Sequence, residues 1–157
     1  MIEENDEIDK MVEMFKSGVN KSVDKSDTGT RYDLAIAYKE MGLVDTAIDE
    51  LKLLLKTTDK KRDVLMLLGL CFNDKGEHSY AIKYLKKSLE YSKDVSEKIS
   101  IYYEIANAYE LKGNLEQAYK IFKKIIKKDR NFRDSLKRIK SLQKRLTPNK
   151  PREISYL

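Results

Sequence analysis

The chain has 157 residues, of which 37% are charged and 41% hydrophobic, with only two prolines and six glycines, and its net charge is +6. This composition favours a helix-rich globular protein over a β-sandwich or barrel, which needs more turn residues and β-branched runs. One cysteine and one histidine exclude an internal disulfide and a metal site with several histidine ligands. No apolar run reaches the roughly 18 residues of a membrane span, and the acidic start MIEENDEIDK lacks the order of a secretory signal, so we expect a cytoplasmic protein.

Residues 1–27 predict an amphipathic helix followed by a linker. The apolar residues of this segment share the i, i+3, i+4, i+7 spacing of one helical face: Ile8, Met11, Val12 and Phe15. Asn5 or Asp6 is expected to cap the helix, and Gly18 is expected to end it. Packing on the rest of the chain and self-association through this helix both fit the pattern.

Three stretches that follow share one order of residues: DLAIAYKEMGLVDTAIDEL (33–51), LLGLCFNDKGEHSYAIKYL (67–85) and EIANAYELKGNLEQAYKIF (104–122). Each has a small residue, an aromatic residue, a glycine, a second small residue and a bulky residue at identical spacing. The sets are Ala35, Tyr38, Gly42, Ala47, Leu51; Gly69, Phe72, Gly76, Ala81, Leu85; and Ala106, Tyr109, Gly113, Ala118, Phe122. Each stretch predicts two helices that are separated by a left-handed turn at the central glycine.

The small residues let the two helices of each pair approach closely, and pairs this short must stack to bury their apolar faces. The period of 34 residues and the order of residue types resemble the tetratricopeptide repeat (TPR). The resemblance implies an all-α fold of the TPR type, a right-handed α-α superhelix of antiparallel helix hairpins. Three units are expected within residues 28–132, at 28–61, 62–95 and 99–132. The tryptophan that often opens the family's first helix is replaced by Arg31, Leu65 and Tyr102.

The remaining residues predict a closing helix at 133–147 and a flexible tail at 148–157. Apolar residues of the stretch NFRDSLKRIKSLQKRL lie largely on one face, which suits a helix that covers the last repeat with a solvated outer surface. The charge is unevenly distributed along the chain. Residues 1–59 carry 8 basic and 14 acidic side chains, a balance of −6, and residues 120–157 carry 14 and 3, a balance of +11.

The sequence predicts neither a catalytic site nor a metal site. Cys71 occupies the slot that holds Ala37 and Ala108 in the sister units, which indicates a packing role. His78 is interpreted as a surface residue, and neither paired carboxylates nor a Gly-rich phosphate loop is seen. We therefore expect no enzymatic activity, no cofactor and no small-molecule substrate.

The TPR resemblance implies that the first helices of the units line a concave groove that binds a protein or peptide partner. The family's groove positions correspond here to Tyr32, Ile36, Lys39, Met66, Leu70, Asn73, Tyr103, Asn107 and Glu110. Their apolar centre suits an apolar or amphipathic partner segment, although the chain's own N-terminal helix is an alternative occupant. The carboxylate-clamp positions of one TPR subgroup hold Tyr32, Ile36, Leu67, Ser100 and Glu104, none of which matches, so clamp binding is not expected.

The basic C-terminal part suggests a second surface, made of Lys120, Lys124, Lys127, Lys128, Arg133, Lys137, Arg138, Lys144 and Arg145. Such a surface fits an acidic protein and, less well, nucleic acid or an anionic membrane, because no aromatic residues are interleaved with the charges by a known motif. The favoured function is a non-catalytic interaction module or scaffold. The alternatives are a small cytoplasmic TPR chaperone for a secreted or assembly client, and an adaptor that uses the basic surface.

Overall fold

The computed structural model describes residues 2–24 and 26–148 of the chain. Within this part the regular structure consists of eight α-helices, so the all-α prediction is confirmed. They are α1 (Ile2–Ser22), α2 (Thr28–Glu40), α3 (Val44–Leu54), α4 (Lys61–Asp74), α5 (His78–Leu89), α6 (Val95–Leu111), α7 (Leu115–Lys128) and α8 (Ser135–Leu146). The chain forms two compact units, Met1–Asp59 and Lys60–Leu157. The predicted tail lies outside the described residues except for Pro148.

The helices of each pair are joined by the same glycine turn. After α2, the amide of Gly42 donates to the carbonyl of Lys39, and the amide of Leu43 donates to the carbonyl of Tyr38. These two bonds form a Schellman motif, which satisfies carbonyl groups that the helix end would leave without a partner. The turn needs a left-handed residue, and the three glycines predicted to provide it do so: Gly42, Gly76 and Gly113, with φ of 79°, 77° and 88°.

In the first unit, α2 and α3 pack against each other, and α1 is attached to this pair by side chains. The ring of Phe15 on α1 meets the ring of Tyr38 edge-on, with centroids 6.0 Å apart. Arg31 on α2 is buried, donates to Glu50 on α3 at 2.5 Å, and reaches Asn20 on α1 at 3.5 Å. A charged residue therefore joins all three helices at the position where a TPR often has tryptophan.

The prediction that α1 ends at Gly18 is wrong, because the helix continues to Ser22. Gly18 does not adopt the left-handed conformation of the three turn glycines, and it accepts a hydrogen bond from the Ser22 hydroxyl at 2.8 Å. A helical glycine costs only about 1 kcal/mol relative to alanine, which the flanking residues of a long helix can offset.

In the second unit, α4 packs on α5, α5 on α6, α6 on α7 and α7 on α8. A core cluster joins the last three helices: Ile99, Ala106, Ala118, Phe122, Ile125, Ile139 and Leu142. Ile139 and Leu142 belong to α8, which therefore covers the apolar side of the α6–α7 pair, as expected of a closing helix. Cys71 is fully buried in α4, which agrees with its interpretation as a packing residue.

Candidate interaction surfaces

The helix α4 carries one narrow strip of side chains that is not buried. Between Val64 and Asn73 every residue is buried except Met66, Leu70 and Asn73. These three residues are spaced i, i+4, i+7, so they lie along one face of the helix. We call them the α4 strip. They are the three groove residues that the sequence placed in the second repeat, and the structure brings them together as a half-buried row with two apolar members.

Asn73, at the end of the α4 strip, has one amide atom paired and one unpaired. Its Oδ1 atom lies 2.9 Å from Nδ1 of His78, across the Gly76 turn. Its Nδ2 atom is buried and has no hydrogen-bond partner among the described residues. A buried amide without a partner costs free energy, and an acceptor supplied by a bound molecule removes that cost. His78, which the sequence interpretation placed on the surface, is half-buried, and its Nδ1 atom is engaged by this contact.

The corresponding residues of α6 are engaged by the chain's own C-terminal segment. The hydroxyl of Tyr103 donates to Oδ1 of Asp134 at 2.6 Å, and its ring packs edge-on against Phe122 and Phe132. The guanidinium of Arg133 lies 4.6 Å from the centre of the same ring. Burial, together with the neighbouring Asp134 carboxylate, raises the pKa of Tyr103 to about 12. Tyr103 therefore packs against the core cluster of the second unit, and as a half-buried residue it keeps part of its surface exposed.

Asn107 and Glu110 complete the contact between α6 and α8. Arg138 donates from Nη2 to Asn107 at 2.8 Å and from Nε to Glu110 at 2.8 Å. Arg145 donates to the other Glu110 oxygen at 2.7 Å. From the sequence, Asn107 and Glu110 were assigned to the groove and Arg138 and Arg145 to the basic surface, and their pairing was not predicted. The pairing could have been anticipated from the order of charges, because the acidic Glu104 and Glu110 are followed by several arginines.

The nine residues of the predicted basic surface separate into two groups. The arginines Arg133, Arg138 and Arg145 bind the carboxylates of α6, with Arg133 2.6 Å from Glu104. The lysines are exposed on α7 and α8: Lys120, Lys124, Lys127, Lys128, Lys137 and Lys144. The closing helix therefore uses arginine, whose planar fork suits carboxylates, for its internal contacts, and lysine toward solvent.

The groove residues of the first unit are Tyr32, Ile36 and Lys39 on α2. They have the same i, i+4, i+7 spacing as the α4 strip and are half-buried. Tyr32 and Lys39 each take part in a further polar or ring interaction.

A surface that the sequence analysis identified only in part lies in the first unit. The apolar stripe of α1 faces the turn between α2 and α3, and together they form an apolar cleft of about 410 Å³. Its lining residues are Ile8, Met11, Val12, Phe15, Met41 and Leu43. The stripe on α1 was evident from its spacing, but Met41 and Leu43 flank a turn glycine and follow no periodic pattern. We call this the α1 cleft.

The described part of the chain contains neither a metal-binding cluster of side chains nor a membrane-spanning helix. No group of three or more His, Cys, Asp or Glu side chains is placed to hold a metal ion among residues 2–24 and 26–148. Over the same residues, no helix combines the length and apolarity needed to cross a membrane.

Comparison with known proteins agrees with the glycine turns and the small residues between helices. The family model described as "Tetratricopeptide repeat" matches residues 63–95 and 99–132. No curated protein matches the sequence significantly. Among solved structures, a crystal structure of MamA superposes with a TM-score of 0.70 at 20% identity, covering 84% of this chain and 74% of MamA.

Two further similar structures contain bound peptides. The first TPR of Spaghetti (RPAP3), bound to an HSP90 peptide, has a TM-score of 0.67 at 14% identity, covering 80% of this chain and 97% of that one. The type III secretion chaperone SycD of Yersinia enterocolitica, in complex with a peptide of the translocator YopD, has a TM-score of 0.65 at 16% identity, covering 75% and 93%. At these identities the likeness concerns the fold. The chain therefore has a fold of the TPR type and carries two matched tetratricopeptide repeats, at residues 63–95 and 99–132.

Proposed function

We propose that the chain is a non-catalytic protein-interaction module that binds an apolar or amphipathic segment of another protein along the α4 strip. The observation that carries this proposal is the half-burial of Met66 and Leu70 on a helix whose other residues between Val64 and Asn73 are buried. The open face of a helix in a soluble protein is usually polar. Two large apolar side chains on the open face of this segment are not needed for internal packing, and their contact with water is unfavourable. Contact with a partner accounts for them.

The chemistry of the strip suits a peptide. Met66 is unbranched and polarizable, so it can adapt to side chains of different shape. The buried, unpaired Nδ2 atom of Asn73 would serve as a donor for a backbone carbonyl of the bound segment once its side chain rotates toward the surface. An extended segment has backbone carbonyls free to accept such a bond, whereas an amphipathic helix is held by its apolar face alone.

The TPR fold is generally a protein-interaction fold, and two of the similar structures hold peptides from HSP90 and YopD. Clamp recognition of an acidic C-terminus is not part of the proposal, because the clamp positions do not carry its basic and amide residues. We rank the nucleic-acid adaptor lower, since three of the nine basic residues are already paired with carboxylates of α6.

The test is capture of partners from a lysate by the immobilised full chain and by its Met66→Glu/Leu70→Lys variant. The matched control is Val95→Glu/Leu111→Lys, which introduces the same charges at two exposed apolar positions of the same unit. Circular dichroism first establishes that both variants retain the helix content of the wild type. The segment bound by each captured protein is then mapped by limited proteolysis of the complex.

The proposal expects a partner that is lost with the first variant, is kept with the control, and binds through an apolar or amphipathic segment. Its capture should persist as salt is raised, whereas binding of nucleic acid falls steeply. Equal capture by the Met66→Glu/Leu70→Lys variant, or a bound segment that is purely charged, would contradict it.

A further inference from the structure

The α1 cleft is apolar, exposed and built entirely within the first unit. Met11 is 69% exposed, Met41 57%, Ile8 55% and Phe15 50%. Phe15 is fixed by its edge-on contact with Tyr38, so one wall of the cleft is anchored while its opening faces solvent. Contiguous exposed apolar groups of this kind mark interaction sites on soluble proteins.

The shape of the α1 cleft suits a helix. Its α1 wall runs from Ile8 to Phe15, two helical turns or about 10 Å, and its other wall is formed by Met41 and Leu43 at the α2–α3 turn. An occupant that presents apolar residues at i, i+3 or i+4, and i+7 contacts the whole length of this wall. Two methionines in the lining allow it to adjust to different apolar side chains.

The border of the cleft is acidic. An adjoining depression shares Val12 and Leu43 with the α1 cleft, and its charged lining consists of three acidic residues and one basic residue: Asp9, Glu13, Asp45 and Lys16. Glu13 forms an ion pair with Lys16 at 3.5 Å, and Asp45 also takes part in an interaction. The net charge of the border is therefore negative, although part of it is already engaged by other groups. The first unit as a whole has 8 basic and 14 acidic side chains, a balance of −6. This field attracts a positively charged occupant.

We propose that the α1 cleft binds a basic amphipathic helix of another protein, with its apolar face in the cleft and Lys or Arg against the acidic border. This site is separate from the α4 strip and goes beyond the function proposed above. A symmetric pairing of two copies through this face would place the acidic borders of both copies together, which opposes association. An anionic membrane is repelled by the same charges.

The first experiment uses a synthetic helix of about 18 residues, long enough to form a helix, with leucine on one face and lysine elsewhere. The full chain is labelled with ¹³C at the methionine methyl groups, and the peptide is titrated while the methyl resonances are followed by NMR. The resonances of Met11 and Met41 should move, and that of Met66, on the α4 strip, should not. A peptide with glutamate in place of every lysine should bind at least about tenfold more weakly.

The second experiment measures the affinity of the same lysine peptide for three variants by fluorescence anisotropy. Met11→Gln/Met41→Gln should weaken binding at least about tenfold. Met14→Gln should leave it unchanged, because Met14 is 75% exposed on the same helix but does not line the cleft. Asp9→Asn/Glu13→Gln should weaken binding and reduce its salt dependence. All of these residues are exposed, so the variants are expected to fold.

Three results would overturn the proposal. One is a lack of any shift at Met11 and Met41, or a shift at Met66 alone, which would assign peptide binding to the α4 strip. Another is equal binding of the lysine and glutamate peptides. The third is concentration-dependent dimerisation in sedimentation velocity that Met11→Gln/Met41→Gln abolishes, since that would assign the cleft to a second copy of this chain.

Discussion

Gly69 lies at a close approach between α4 and α5, and replacing it with alanine tests how rigid that approach is. An ideal Cβ atom built on Gly69 would be 2.5 Å from Cγ of Leu85, 2.8 Å from its Cδ2, and 3.2 Å from the backbone oxygen of Ala81. Leu85 is fully buried, and Cγ is the branch point of its side chain, so it cannot simply swing aside. The sister positions hold Ala35 and Ala106, so the clash is specific to this pair of helices.

Two opposing effects determine the outcome of Gly69→Ala. The greater helix propensity of alanine contributes about 1 kcal/mol in favour of the variant. Insertion of a methyl group into a packed interior costs about 1–3 kcal/mol, and the contact with a branch atom places this case in the upper half of that range. We therefore expect the free energy of unfolding to fall by about 1–2 kcal/mol.

The measurement is urea unfolding followed by circular dichroism, with the midpoint compared at constant m-value. Gly29→Ala is the matched control, because a Cβ at Gly29 would meet only Asp27 Oδ1 at 3.7 Å; it should stabilise the protein by about 0.5 kcal/mol. In a double-mutant cycle, Leu85→Ala alone should cost about 2–5 kcal/mol. Combined with Gly69→Ala it should cost at least about 1 kcal/mol less than the sum. A neutral or stabilising Gly69→Ala without such coupling would refute the clash.

Two further predictions concern the contact between α6 and α8. Glu110→Gln weakens the charge-assisted hydrogen bonds from Arg138 and Arg145. We expect the free energy of unfolding to fall by about 1–2 kcal/mol in low salt. An unchanged midpoint of urea unfolding would contradict this contact. The pKa of Tyr103 in the folded protein is about 12, above the value of 10.0 for a free tyrosine. The stability that the protonated hydroxyl contributes is therefore fully present below about pH 10 and is lost between about pH 10 and 12. Tyr103→Phe, which also loses the bond to Asp134, should remove this part of the alkaline decline, and an identical pH profile for wild type and variant would count against it.

The sequence was sufficient to predict the features that depend on local geometry. Glycine at a left-handed turn and small residues at a helix–helix contact leave a pattern that repeats with the fold, and Gly42, Gly76 and Gly113 adopt the predicted conformation. Glycine alone did not fix the end of α1, since Gly18 can also be helical when the residues beyond it continue the helix. What decides between the two uses is the next few residues rather than the glycine itself.

The sequence was less informative about which side chains meet across helices. Arg138 and Arg145 were assigned to a basic surface because a count of charges does not show which of them are paired, and Arg145 is both exposed and paired with Glu110. The structure shows that the fork of an arginine can reach back over α8 to Asn107 and Glu110, whereas the lysines of α7 and α8 remain in solvent. Which basic residues are paired and which remain in solvent depends on the packing angles between helices, and the periodicity of the sequence carries no information about those angles.

The difference between α4 and α6 at equivalent positions supports a division of roles between the repeats. On α6 the positions of the α4 strip are polar, and the C-terminal segment supplies a hydrogen-bond partner for each of them. On α4 the first two positions are Met66 and Leu70, whose apolar side chains cannot pair with an arginine. The third is Asn73, whose buried Nδ2 atom has no hydrogen-bond partner in the described chain. Polar residues matched by internal partners specify a closed contact, whereas the half-buried apolar pair of α4 is the face that we propose a partner covers. Exchange of these side chains between α4 and α6 should therefore impair both the packing of α8 and the binding of a partner.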